Sequence, residues 1–168
     1  MKKTAINKIT LSAIFSALII LSTAVLSIRL PNGYANLGDC FVIVGALVLG
    51  KYYGSLSAAV GAGIADIILG FMIYFPATVI IKILMAIIAS SAYKIIKTKY
   101  AILKTALIAI LCEIVMILGY FIYEIFLYGI KVAELNIIGN TLQGAVGCIG
   151  ATVIFAVLKK SKVLKKLK

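Results

Sequence analysis

Five ionisable residues, Asp39, Asp66, Lys82, Glu113 and Glu124, lie in or at the ends of apolar segments. An ionised side chain at mid-bilayer costs roughly 2.5–3.5 kcal/mol on insertion scales, so a chain that keeps several holds a polar site inside an apolar bundle. The amides of Asn36, Asn140 and Gln143 supply donors and acceptors, and Tyr34, Tyr74 and Tyr120 supply flat faces on which a ring could stack. Carboxylates outnumber cations in this set. That favours a neutral or partly cationic ligand carrying hydrogen-bond donors, such as an aminopyrimidine or a protonatable pyridine, and disfavours a strongly anionic one.

Spacing places these groups on common helix faces. Glu113, Ile117, Tyr120 and Glu124 keep the i, i+4, i+7, i+11 pattern, and Asn136, Asn140, Gln143 and Gly147 repeat it. Each residue also has a structural role to weigh. Lys82 can pair with Glu124 or Asp66 within the bundle or touch a ligand directly. Asp39, following Gly38, can cap a helix or face the cavity. Glu113, nearer the opposite half, can be a buried structural carboxylate or a proton carrier.

The elements that must position these side chains are membrane helices. The chain has 168 residues, 64% of them hydrophobic, with a mean hydropathy of +1.18. Apolar runs at about 9–28, 39–53, 55–70, 77–96, 104–128 and 136–158 predict one all-α integral membrane domain, residues 1–168, with six transmembrane helices. The break at Gly50-Lys51-Tyr52-Tyr53-Gly54 reads as a tight turn, Arg29 to Gly38 as a loop, and Pro76 as a first-turn residue of the fourth helix.

The net charge of +12 follows from this topology and does not indicate nucleic-acid binding. Lys2, Lys3, Lys8, Lys51, Lys94, Lys97, Lys99, Lys104 and the lysines from Lys159 onward fall on one side, against Arg29 and Lys131 on the other. The positive-inside rule then puts both termini in the cytoplasm of a multi-pass cell-membrane protein, with the C-terminal lysines touching anionic lipid headgroups. On the same reading Asp39, Asp66, Lys82, Glu124, Asn140 and Gln143 gather near the external surface.

Other signals carry less. The first segment is long and ends in no clear cleavage site, so it reads as retained. Cys40, Cys112 and Cys148 lack metal-ligand spacing and histidine is absent, so no metal or cofactor is expected. Gly45 to Tyr52 nearly spells a phosphate-binding loop, but Tyr52 replaces the required Ser or Thr and the stretch is a membrane helix. No nucleophile and base pair can be assembled, so enzymatic chemistry has little support. Small residues recur at close-packing spacing at Ala13 and Ala17, at Ala58, Ala62 and Ala65, and at Gly139, Gly147 and Ala151. They predict internal packing, or for the first pair a face toward another membrane protein.

Several motifs together resemble the substrate-binding S components of energy-coupling factor (ECF) vitamin transporters. They are Asn36-Leu37-Gly38-Asp39, Gly61 to Asp66 with Gly70, Pro76-Ala77-Thr78 to Lys82, Gly119-Tyr120-Phe121-Ile122-Tyr123-Glu124, and Asn140-Thr141-Leu142-Gln143-Gly144. The resemblance implies a high-affinity binding subunit without its own ATPase, joined to a transmembrane coupling subunit and two cytoplasmic ATPases. It implies docking through Ala13 and Ala17, and a small pyridoxine- or hydroxymethylpyrimidine-like ligand, with riboflavin also possible. The competing readings are a self-sufficient proton-coupled carrier using Glu113, Asp66 and Glu124, and a structural subunit with no saturable ligand.

Overall fold

A computed structural model describes residues 2–30 and 33–161. Pro31 and Asn32 of the first loop, and the lysines from Lys162 onward, lie outside the described residues. The element order is α1 (Lys2–Val25), β1 (Ser27–Leu30), β2 (Gly33–Asn36), α2 (Gly38–Leu69), α3 (Phe75–Ile95), α4 (Ala101–Tyr128) and α5 (Ile130–Lys160). All five helices are long and apolar enough to cross a membrane. Large aliphatic side chains such as Ile80, Leu84, Ile114, Leu118, Ile149 and Val153 are exposed on their outer faces. Lipid tails are as apolar as leucine, so such faces carry no penalty in a bilayer.

Two of the expected helices, 39–53 and 55–70, are arms of the single element α2. The helix is interrupted at Gly50, where φ is 80° and ψ is −175°. Glycine reaches that backbone conformation without the Cβ clash other residues suffer. The chain doubles back there, because a Cβ on Gly54 would lie 2.6 Å from Ala46 Cα on the preceding arm. Backbone contact between the arms is what the lack of a side chain at Gly54 permits. The reversal brings Asp39, at the start of α2, to the same end of the bundle as Asp66, near its finish.

Hydroxyls and small residues fasten α1 and α3 to this pair. Ser12 Oγ donates to the Tyr53 carbonyl at 3.0 Å, Ser16 Oγ to Ser57 O at 3.2 Å, and Ser90 Oγ to Ala46 O at 2.9 Å. Gly61 lets α1 approach, since a Cβ there would lie 2.9 Å from the Ser16 carbonyl. Ala58, Ala62, Ala65, Gly139, Gly147 and Ala151 are buried, whereas Ala13 and Ala17 are exposed. Pro76 stands in the first turn of α3, and Gly129, with φ 83°, turns α4 into α5.

The first loop corrects the sequence expectation. Ser27–Leu30 and Gly33–Asn36 pair as an antiparallel hairpin in the register Ser27↔Asn36 to Leu30↔Gly33. Strands of four residues are too short for their alternation to stand out beside apolar helices. Helix limits moved as well. α1 ends at Val25, before the expected 28, because the hairpin takes the next residues, and α5 begins at Ile130, directly after the Gly129 turn.

Candidate functional site

The hairpin and the adjoining ends of the five helices enclose one polar cavity. It is lined by Tyr34 and Asn36 from β2, Asp39 and Asp66 from α2, Tyr74 and Lys82 at and within α3, Tyr120 and Glu124 from α4, and Asn140 and Gln143 from α5. These ten are the residues singled out from sequence, and the fold brings all of them together. Ile19, Thr23, Gly38, Val42, Ala62, Thr78 and Asn136 complete the wall. Of these, Asn136 and Thr78 had a legible signal, each standing one helical turn before a polar residue of the set, Asn140 and Lys82. The apolar members had none. Glu113 does not line the cavity.

One half of the cavity is internally satisfied. Lys82 Nζ lies 2.5 Å from Asp39 Oδ1, and both side chains are nearly inaccessible. Gln143 Nε2 donates to the other Asp39 oxygen at 2.6 Å, while Gln143 Oε1 accepts from Asn36 N at 3.2 Å and Nδ2 at 3.1 Å. Asn36 Oδ1 in turn accepts from Gly38 N at 2.7 Å and Thr23 Oγ1 at 3.2 Å. The network links α1, β2, α2, α3 and α5. It corrects two expectations. Lys82 pairs with Asp39 and not with Glu124 or Asp66, and Asp39 is not a cap, because Leu37 holds the N-cap position and makes no side-chain capping bond.

The other half is built around tyrosine hydroxyls. Tyr34 donates its hydroxyl to Asp66 Oδ1, and Tyr74 donates to Glu124 Oε1 at 3.3 Å. Asn136 and Asn140 stand beside Glu124. Asp66 Oδ2, Glu124 Oε2, Asn136 Nδ2 and Asn140 Nδ2 are buried with no hydrogen-bond partner among the described residues. Buried polar atoms are nearly always paired, and the donors nearest at hand are the Asn136 and Asn140 amides for Glu124 and the Thr78 hydroxyl for Asp66. Burial, then the Asp66 carboxylate, raises the Tyr34 phenol well above its ordinary range, which keeps it a hydrogen-bond donor.

Aromatic rings close the same half. Tyr34 lies against Phe71 with centroids 5.1 Å apart, and Tyr74 meets Tyr120 at 6.2 Å and Tyr123 at 6.0 Å. Thr78 Oγ1 and Tyr120 Oη share a hydrogen bond of 2.9 Å, and the Lys82 ammonium lies 5.3 Å from the Tyr120 ring centre. The cavity volume is about 40 Å³. That is space for roughly three waters, at about 10–15 Å³ each.

A family model described as the S component of ECF-type riboflavin transporters matches residues 3–160. The chain belongs to this family. A protein of Pyrococcus woesei, described as an uncharacterized protein in gap 3'region, is 30% identical over 141 residues, covering 83% of this chain and 93% of that relative. The S component is therefore a multi-pass membrane protein and a vitamin-binding transporter subunit, not itself an enzyme. The polar groups lining its cavity are widely separated in the sequence, and the reversal of α2 at Gly50 sets the two acids of that helix in one cavity.

Proposed function

We propose that this S component captures a small ring-shaped vitamin or vitamin precursor from outside the cell, pyridoxine- or hydroxymethylpyrimidine-like, with riboflavin as the alternative. It hands the molecule to a transmembrane coupling subunit driven by two cytoplasmic ATPases. On this reading the two arms of α2 cross separately, giving six crossings, both termini lie in the cytoplasm, and the hairpin faces outward. The lysine distribution supports that orientation. The exposed Ala13 and Ala17 on α1 suit close docking of the coupling subunit.

The observation that carries the proposal is the convergence of Tyr34, Asn36, Asp39, Asp66, Tyr74, Lys82, Tyr120, Glu124, Asn140 and Gln143 on one cavity. These are the proposed substrate-binding residues. The cavity is smaller than a vitamin, so its walls must part when one enters. Mass spectrometry of whatever small molecule copurifies with the full chain tests the proposal and names the vitamin. A pyridine, pyrimidine or flavin at unit stoichiometry supports it, and a ligand-free protein that takes up none of these contradicts it.

One observation favours a second reading. Glu113 is buried with neither carboxyl oxygen hydrogen-bonded among the described residues. A proton-coupled carrier would use such a group. Accumulation of ligand in liposomes driven by a pH gradient alone supports the carrier. Tight binding without accumulation supports the binding subunit.

A further inference from the structure

Glu113, on α4, is the buried acid that the cavity leaves out. It faces α5 where Gly144 and Gly147 stand one turn apart, and their missing side chains make its berth. A Cβ on Gly144 would lie 3.2 Å from Glu113 Cβ and 3.5 Å from Oε2, and a Cβ on Gly147 would collide with Oε1. The same point above Gly147 is 3.1 Å from Asp39 Cβ, so the Glu113 carboxyl and the root of the Asp39 side chain flank one glycine. Glu113 is only 4% exposed, and neither of its oxygens has a hydrogen-bond partner among the described residues. That separates it from Asp66 and Glu124, which tyrosine hydroxyls reach and which have Thr78 or the Asn136 and Asn140 amides at hand.

Charge balance decides the state of this acid. The titratable groups within reach of it are Asp39 and Cys40 from α2, Lys82 from α3, Cys112 beside it on α4, and Cys148 from α5. Lys82 is the one cation in that group, and its Nζ lies 2.5 Å from Asp39 Oδ1. An ionised Glu113 would be a second carboxylate against a single ammonium, buried and with no N–H or O–H donor to hold it. A carboxyl in such surroundings binds a proton, because the neutral form escapes most of the desolvation cost.

We infer that Glu113 is a positioning residue with a resident proton: as a neutral acid it fills the notch at Gly144 and Gly147 and leaves Lys82 bonded to Asp39. Without the proton, its carboxylate would repel Asp39 and compete for Lys82. Asp39 is also the group that Gln143 holds, and Gln143 holds Asn36, so the disturbance would pass along the network to the hairpin. This role is independent of which molecule the cavity takes, and it requires no proton transport.

Infrared difference spectroscopy of the purified full chain in lipid nanodiscs, wild type minus Glu113→Gln at neutral pH and without ligand, reads the proton directly. The inference expects the carbonyl band of a protonated carboxyl in the wild type and its loss in the variant. Loss of a carboxylate band instead overturns it. The unfolding equilibrium of the same two proteins supplies a second readout. A glutamate in the unfolded chain gives up its proton near about pH 4.3, so above that value folding must take one up. Wild type should then fall behind Glu113→Gln as pH rises, by up to about tenfold in the folding equilibrium per pH unit. A merely structural side chain would shift stability by the same amount at every pH, so a level difference between about pH 5 and 8 overturns the inference. Glu113→Leu, which has no polar atoms, serves for both measurements if the Gln variant fails to fold.

Discussion

Gln143 Nε2 sits 2.6 Å from Asp39 Oδ2, a residue 104 positions earlier in the chain. The same amide accepts two bonds from Asn36 through its oxygen, so one side chain joins α5 to the first turn of α2 and to the hairpin. Gln143→Leu removes all three bonds and strands buried partners, at about 1–3 kcal/mol for each group left unsatisfied. We expect a clear fall in the thermal unfolding midpoint followed by circular dichroism. An unchanged midpoint would mean that the amide is not a structural tie.

The Lys82–Asp39 pair is buried, and breaking such a pair costs more than removing it whole. Lys82→Met leaves the Asp39 carboxylate without its cation and should destabilise by about 3–5 kcal/mol. Lys82→Met combined with Asp39→Asn should recover a good part of that loss. A double-mutant cycle on detergent-solubilised protein measures the coupling, and additive losses would contradict direct pairing.

Gly54→Ala tests the reversal of α2. The added methyl would meet the Ala46 backbone at 2.6 Å, and backbone cannot swing aside as a side-chain tip can. Overpacking of this kind costs about 1–3 kcal/mol. The variant should unfold earlier and, with its arms pushed apart, bind ligand more weakly. Wild-type stability would indicate that the arms do not touch there.

The bond from Tyr34 to Asp66 makes a pH prediction. Burial and the neighbouring carboxylate hold the folded-state phenol above its ordinary value of 10.0. The sign follows: the contribution is complete below that value, where both folded and unfolded phenols keep their protons, and is lost as pH rises past it and the unfolded chain ionises. The stability difference between wild type and Tyr34→Phe should therefore stay level between about pH 7 and 9 and narrow above about pH 10. A difference that widens in alkali would contradict the assignment.

How much of this was legible beforehand depended on whether the signal was periodic. The i, i+4, i+7 spacing of Asn136, Asn140 and Gln143 placed a polar face on α5, and apolar length alone marked the helices. Partner choice had no such signal. Depth put Asp39, Asp66 and Glu124 alike near Lys82 and could not choose among them; Asp66 or Glu124 was the expected partner, whereas the hairpin and the reversal at Gly50 deliver Asp39 to it. The capping role suggested for Asp39 failed for a related reason, since an acidic residue in the first turn of a helix has the same composition cue as its cap. The four-residue strands were hidden by the apolar runs that flank them.

The most direct measurement is native mass spectrometry of the full chain released from nanodiscs with its small-molecule ligand, wild type beside Glu124→Ala, Asn140→Ala and Ala17→Leu. We predict a one-to-one adduct in wild type and Ala17→Leu, the latter failing to assemble with the coupling subunit, and an adduct reduced at least about tenfold in the other two. Equal adduct in Glu124→Ala and Asn140→Ala, with both variants folded, would contradict the assignment of the cavity as the binding site.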